Sequence, residues 1–427
     1  MTSPRRILLV DADAFFVAVA RQEDPEGAGR ARLLIVGGRP GSRGVVCSAS
    51  YECRAFGVRS AMPIARALRL CPEAMCVPVP RHACSLRSRE IHAVLSRFAP
   101  VVQASSIDEW YCDLGGTEAL YGYEPLRETA HRIRDAVREA TGLPVSLGGG
   151  TSRLIAKMAV EVAKPKPGTG ANGVHCVAPG EEVAFLSQFR LADLPMVGPR
   201  LTEQLARLGL VSVREAQAWS EADLVRRLGD RAGPWLARRV RGIDDSVVSP
   251  RDRQKQVSRE DTFARDLDDD DSLERELLRL AVRVSADLRR QALRARTVTV
   301  KIKDTDFRTR SAQRTLESFI ESERSVAAAA RPLLRQLRGK RRVPVRLLGI
   351  ALSHFDDEAS ASGLSTQLGL FGGLSPDQTS GDQPRESPRD RALTRALDRI
   401  RDRYGREAIV PARLIDPAED TGPRVEE

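Results

Sequence analysis

Much of what a chain of 427 residues could be is excluded by what this one lacks. It has no run of 18 or more apolar residues and no signal-peptide pattern at Met1-Thr2-Ser3-Pro4-Arg5-Arg6, so the expectation is a soluble, cytoplasmic protein without a membrane partner. Its seven cysteines include no C-x-x-C pair. That excludes a disulfide framework and a zinc site and leaves buried, reduced thiols. The five histidines are scattered, none at a metal-ligand spacing. Aromatic residues are only 4% of the chain, too few for a platform that grips single strands by stacking bases. Lys166-Pro167-Gly168-Thr169-Gly170-Ala171-Asn172-Gly173 is glycine-rich but lacks G-x-x-x-x-G-K-[ST], so it reads as a flexible loop. No second carboxylate set has a nuclease pattern.

What is present points to a polyanion. The formal charge is +10 and the isoelectric point about 9.6, which favours nucleic acid over a small neutral substrate. The length suggests about three domains. Two apolar, β-branched stretches each stop at a carboxylate: Ile7-Leu8-Leu9-Val10-Asp11, continuing Ala12-Asp13-Ala14-Phe15-Phe16, and Ser105-Ser106-Ile107-Asp108-Glu109-Trp110-Tyr111-Cys112. An unpaired buried carboxylate costs several kcal/mol, so acids at the ends of core strands need a strong counterion. With the two strands adjacent, Asp11, Asp108 and Glu109 converge, and hard divalent cations with oxygen ligands satisfy all three. This reads as a two-metal phosphoryl-transfer site. Alternation along a strand sends Asp108 and Glu109 to opposite faces unless the strand bends there, which makes Asp108 the firmer ligand. Asp13 opens the next helix and is equally a capping residue.

Between the two acidic segments the pattern is a small α/β lobe. Strands are expected at Leu33–Val36 and Val45–Tyr51, a loop at Phe56–Pro63 and a helix over Ile64–Leu70. Tyr51 and Arg54, at i and i+3, share a helix face, where a phenol and a guanidinium can hold a triphosphate. A surface Arg beside a packing Tyr is the plain alternative. Further on, helices are expected at Pro125–Thr141 and Thr151–Val162, with a strand at Pro144–Gly148 between them. Lys164 stands just before Pro165, where that helix ends. Leu191 to Leu210 reads as two short helices around a glycine-containing hairpin, whose backbone N–H groups can hold a DNA phosphate. Asp244–Gln256 suits a linker. From Val257 a second α/β unit begins, with a helix over Leu273–Leu293. Two runs, Arg296–Lys303 and Phe307–Leu316, alternate basic and hydroxyl side chains suited to tracking phosphates, and Val345–Leu352 closes the unit.

Val10-Asp11-Ala12-Asp13-Ala14-Phe15-Phe16, the run from Ser50-Tyr51-Glu52-Cys53-Arg54 to Ser60-Ala61-Met62-Pro63, and Ser106-Ile107-Asp108-Glu109 resemble the motifs of Y-family translesion DNA polymerases of the bacterial DNA polymerase IV type. The resemblance continues in order to about Phe355. It implies an α/β and α+β multidomain fold of right-hand polymerase architecture: palm (1–18 and 81–178), small fingers (19–80), helical thumb with a helix-hairpin-helix (179–245), linker (246–256) and α/β little finger (257–356). Residues 357–427 are then a mostly flexible tail. The resemblance makes Asp11, Asp108 and Glu109 the catalytic ligands of two Mg2+ ions and Phe16 the steric gate against a ribose 2′-hydroxyl. Tyr51, Arg54 and Lys164 become the contacts to the incoming nucleotide. Lys157 resembles an earlier lysine of the same helix. By proximity Phe15 is an alternative gate, and periodicity does not choose between the neighbours. Trp110 stands where the family has a small residue and Cys112 where it has a larger aliphatic one. Arg81-His82-Ala83-Cys84-Ser85 lacks the tyrosine expected ahead of the following helix.

Within the polar tail, Gln367-Leu368-Gly369-Leu370-Phe371 resembles the peptide that docks on the bacterial sliding clamp, through Gln367, Leu368, Leu370 and Phe371. A last helix is expected from Pro388 to Tyr404, with Ser387 and Asp390 as a capping box and Leu393, Leu397, Ile400 and Tyr404 along one face. The expected function is low-fidelity, template-directed DNA synthesis past damaged bases by a monomer that takes primer–template DNA and dNTPs. Two rivals are a non-catalytic polymerase-like scaffold for damage-tolerance partners and an aspartyl-nucleophile phosphatase.

Overall fold

The first apolar run forms β1 (Ile7–Ala12), buried at every position. A strand buried on both faces needs apolar residues at odd and even positions alike, and Ile7 to Val10 supply them. The computed structural model describes residues 4–165, 170–250, 254–356, 386–405 and 408–414. Its contacts divide the chain into two compact units, Met1–Asp252 and Arg253–Glu427, where length alone suggested about three.

In the first unit β1 leads to α1 (Phe15–Glu23), β2 (Leu34–Gly37), β3 (Val46–Ala49), α2 (Tyr51–Ala55), α3 (Ile64–Leu70) and β4 (Met75–Val77). Then come α4 (Arg81–Leu95), β5 (Val101–Ala104), β6 (Glu109–Asp113), α5 (Leu126–Thr141), β7 (Val145–Gly150), α6 (Arg153–Ala163) and β8 (Val174–Cys176). Helices α7 (Glu182–Leu186), α8 (Pro199–Arg207), α9 (Val213–Gln217) and α10 (Glu221–Arg239) complete the unit, α10 being broken at Gly229. One sheet has the order β5-β6-β1-β7-β8 and a smaller one the order β3-β2-β4. On one face of the larger sheet Leu8, Val10, Trp110 and Cys112 pack with Ile91, Leu95, Ile133 and Val137 of α4 and α5. On the other, Ile7, Leu9 and Tyr111 meet Ala156 and Val160 of α6. Each large aliphatic side chain fully buried in this way contributes about 1.5–3 kcal/mol.

Several expectations are corrected here. The strand expected to stop at Gly148 runs to Gly150, because its glycines let α6 lie directly on it. A Cβ at Gly148 would come within 2.2 Å of the Ala156 carbonyl oxygen. Arg81–Ser85 is not an approach to a helix but the opening of α4. The segment read as a linker is anchored over its first half: Val248 is buried against Ile7 and Leu9, Asp244 accepts from Leu154 N, and Gln103 accepts from Ser249 N. The helical hairpin forms as expected, with Met196 exposed in the left-handed conformation (φ 69°) and α8 opening at Gly198-Pro199.

The second unit contains β9 (Gln256–Leu267), α11 (Asp270–Arg290), β10 (Ala295–Asp304), β11 (Thr309–Ile320), α12 (Glu323–Lys340), β12 (Val345–Phe355) and α13 (Pro388–Tyr404). Its antiparallel sheet has the order β11-β10-β12-β9. Val298, Val300 and Ile302 of β10 face α11 and α12 in one core. Helix α12 was not anticipated, although Ser322 caps it and Val326-Ala327-Ala328-Ala329-Ala330 is strongly helix-forming. The expected basic face is less basic than the sequence suggests. Thr299, Lys301 and Lys303 alternate with the core residues, beside Thr309, Ser311 and Gln313 of β11. Arg310 is drawn instead to the buried Asp304, donating from Nε at 3.0 Å and Nη2 at 2.8 Å. Gln367, Leu368, Leu370 and Phe371 lie outside the described residues.

Candidate active site

The register of the larger sheet sets Asp11 opposite Glu109 of β6 on one side and opposite Ser146 of β7 on the other. Neighbouring strands lie about 4.8 Å apart, so the two acidic segments meet at one sheet edge. Asp108 does not end a strand, as the sequence suggested. It sits in the hairpin between β5 and β6, its carbonyl accepting from Ala12 N at 2.9 Å. The turn frees it from strict alternation with Glu109; Asp108 lines the cavity described below, while Glu109 pairs with Lys157. Ser106 Oγ donates to the Asp108 carboxylate.

Asp13 is not a helix cap. Ala14 takes that position in a left-handed conformation, and both Asp13 carboxylate oxygens accept from Ser146 Oγ at 2.9 Å. Ser146 is a supporting residue that the sequence reading missed, since only strand register shows which side chain lies across from Asp11.

The carboxylates have cationic neighbours on α6 and its end. Lys164 Nζ lies 3.0 Å from Asp11 Oδ2 and 2.9 Å from Glu161 Oε1, and Lys157 pairs with Glu109. Sequence reasoning assigned no role to Glu161, though its i, i+3 spacing to Lys164 was visible. Burial pushes the Asp11 carboxyl up to about 7, against the opposing pull of Lys164. Burial likewise raises Asp13, with the Ser146 hydroxyl opposing. Burial works against the Lys164 charge, but Asp11 and Glu161 outweigh it and hold its pKa above the usual lysine value.

A cavity of about 280 Å³ opens at this edge, bounded by Asp11, Asp13, Phe16, Tyr51, Arg54, Asp108 and Lys164. It unites every expected nucleotide-contacting residue with two of the three acids; Glu109 lies beside it, held by Lys157. The Arg54 guanidinium sits 4.9 Å from the Tyr51 ring centre and donates to the Ala49 carbonyl at 3.0 Å, which fixes its direction. Burial raises the Tyr51 phenol, keeping it a neutral donor. Phe15 also reaches the cavity but is 2% exposed and belongs to the core, whereas Phe16 is only partly buried. Beneath the site Trp110 is fully buried with its indole Nε1 unpartnered. Packing has made room for it while leaving that donor unsatisfied.

Among the described residues no set of three or more His, Cys, Asp or Glu side chains stands ready-made as a metal cage. The donor chemistry nonetheless fits a hard divalent cation. The three acids offer only oxygen, Asp11 is buried enough to resist ionising, and lysine ammonium groups stand where positive charge is needed. No helix among the described residues is long and apolar enough to cross a membrane, and all seven cysteines are free.

Residues 10–161 match the impB/mucB/samB family, and residues 254–368 match the impB/mucB/samB family C-terminal domain. The chain is 35% identical to DNA polymerase IV of Dehalococcoides mccartyi (strain CBDB1), over 83% of this chain and 88% of that one. It is 38% identical to DNA polymerase IV of Methanoculleus marisnigri, over 83% and 95%. Among solved structures, a Y-family polymerase chimera, Dbh-Dpo4(243-245)-Dbh, superposes with a TM-score of 0.72 at 24% identity, over 82% of this chain and 98% of that one. An insertion ternary complex of Dbh DNA polymerase gives 0.56 at 25% identity over the same shares.

Proposed function

This chain belongs to the impB/mucB/samB family and is a Y-family DNA polymerase of the DNA polymerase IV type, and from that premise we propose that it copies damaged template at the corner formed by Asp11, Asp108 and Glu109. Primer–template DNA and dNTPs are its substrates. The observation that carries the reading is the β1–β6 register, which brings Asp11 to Glu109 beside a cavity that also holds Asp108, Tyr51, Arg54, Lys164 and Phe16.

In this reading Asp11, Asp108 and Glu109 hold two Mg2+ ions. Bound there, the ions supply a lowered pKa for the primer 3′-hydroxyl and countercharge for the departing pyrophosphate. Arg54 holds the triphosphate in a bidentate manner and Tyr51 donates its phenol hydrogen to it. Lys164 turns from Asp11 toward the same phosphates. The Phe16 ring fills the space of a 2′-hydroxyl and offers it no partner, so a ribonucleotide is rejected by shape and by an unsatisfied polar group. Asp13 keeps the turn after β1 in place through Ser146. Backbone N–H groups opening α8 hold a phosphate of the duplex.

In this reading residues 1–18 and 81–178 are the palm, 19–80 the fingers, 179–245 the thumb and 257–356 the little finger. The enzyme is a cytoplasmic monomer without proofreading, and Gln367, Leu368, Leu370 and Phe371 recruit it to the sliding clamp. Primer extension by wild type and by Asp108→Ala, with Mg2+ and dNTPs, tests the reading. Extension by wild type, lost in the variant, is the expected result. No extension by wild type would favour a scaffold, and hydrolysis of small phosphate monoesters without DNA would favour a phosphatase.

A further inference from the structure

Helix α13 lies beyond residue 368, where the match to the family's C-terminal domain ends. It forms over Pro388–Tyr404, with the Ser387–Asp390 capping box read from the sequence. It is rotated from the orientation that apolar periodicity suggests: Leu397 and Ile400 are half-buried, but the innermost positions are not the apolar ones. Leu393 is 58% and Tyr404 66% exposed, while Thr394 and Arg401 are buried.

Charge decides that orientation. Asp398 accepts from Arg289 Nε at 2.6 Å and Nη2 at 2.7 Å, and the Arg289 side chain is only 7% exposed. Arg401 donates to Glu323 at 3.2 Å. Just before the helix, the Glu386 carboxylate accepts from Ser322 N at 2.6 Å and Glu321 N at 3.1 Å. Buried ion pairs add little net stability, but they fix register, because every other rotation of the helix strands a charge. The register fixed here spends the acidic side chains inward. Asp390 caps the helix and meets Arg324, and Asp398 is held by Arg289, leaving Asp402 as the exposed acid of the helix. Arg389, Arg395, Arg399 and Arg403 are exposed.

We propose that the outer face of α13, through Arg389, Arg399 and Arg403, is a phosphate-binding surface for duplex DNA that adds to the polymerase's DNA footprint. The inference rests on the reading of the chain as a DNA polymerase. Arg399 and Arg403 lie one turn apart and Arg389 nearly three turns, about 15 Å, before Arg399 on the same outer face of a helix held in one register, so each can meet a separate phosphate, and duplex DNA is the polyanion this enzyme must hold. Arginine heads extending from a docked helix bind phosphate without reading sequence. The exposed Leu393 and Tyr404 beside them give the face an apolar component that sugar edges can cover.

The test is equilibrium binding of the full chain to a long-duplex primer–template, without nucleotide, as a function of salt. The variant carries Arg389→Gln, Arg399→Gln and Arg403→Gln together, which keeps strong helix formers on exposed positions. Each lost phosphate contact lowers the slope of log K against log salt by about 0.9, so the variant is expected to be shallower by up to about 2.7. Between about 50 and 200 mM salt, wild type should then lose roughly 40-fold more affinity than the variant. Matching melting curves establish that the variant is folded. If it is not, the same titration on the three single variants carries the test, each expected to lower the slope by about 0.9. Slopes and affinities equal to wild type in folded variants overturn the proposal. The polymerase reading stands or falls separately, on whether wild type extends a primer.

Discussion

The two large sheets of this protein solve opposite problems with similar strands. In the first unit β1 is buried at every position, and its carboxylates stand at the edge of a dry core. In the second, β10 alternates from Val298 onward and keeps Thr299, Lys301 and Lys303 in partial contact with solvent. Gly349 lies between Lys301 and Glu260 in register, and a Cβ there would press on Glu260, so its absence lets the two side chains pair across the strand. A dry edge strengthens every charge placed on it, which suits phosphoryl transfer. The second sheet instead leaves threonines and lysines half-exposed to solvent.

That contrast can be attacked at either sheet. The largest effect is expected from Asp108→Ala, which should slow nucleotide incorporation by about 10³-fold or more in single-turnover primer extension while leaving the melting temperature nearly unchanged. Next, Phe16→Ala should raise ribonucleotide relative to deoxyribonucleotide incorporation by about 10- to 100-fold. An unchanged ratio would remove Phe16 from the gate and return Phe15 to consideration.

A third test reads the dryness itself. Burial lifts Asp11 from 3.8 to about 7, so folding favours its protonated form. The stability this contributes is full below an unfolded pKa near 4 and is lost as pH rises through about 7. Asp11→Asn cannot ionise. Without divalent metal it should melt several degrees above wild type at about pH 8, with the gap closing toward about pH 4. A gap independent of pH would contradict the account of the buried edge. The smallest effect belongs to the wet sheet. Lys303→Gln should weaken DNA binding by only a few-fold and lower the salt slope by about 0.9, with no change in melting temperature.

Much of this was legible in the chain because apolar runs and carboxylates are local signals. The strand ending at Asp11, the α2 face carrying Tyr51 and Arg54, and Lys164 at the end of α6 could each be read within a few residues. What escaped depended on partners far along the chain. Ser146 meets Asp13 only through sheet register, and Arg310, opposite the core residue Ile302 in register, is held on the helix side by Asp304 and by the carbonyl of Arg341, 31 residues further on. Val248 looked like linker because the stretch around it is charged, Pro-containing and without periodicity, yet Ile7 and Leu9 offer it an apolar surface. For α13, periodicity located the helix and its cap but only part of its inner face: Leu397 and Ile400 are half-buried, while Leu393 and Tyr404 are exposed. Hydrophobicity sets orientation only where an apolar surface waits to receive it, and here Arg289 and Glu323 wait instead.

The most direct measurement is anomalous diffraction from Mn2+ in crystals of the enzyme with primer–template and a non-hydrolysable dNTP. The account predicts two metal peaks, held by carboxylate oxygens of Asp11, Asp108 and Glu109, beside a triphosphate touched by Arg54 and Lys164. A nucleotide bound there with no metal in contact with both Asp11 and Asp108 would contradict it.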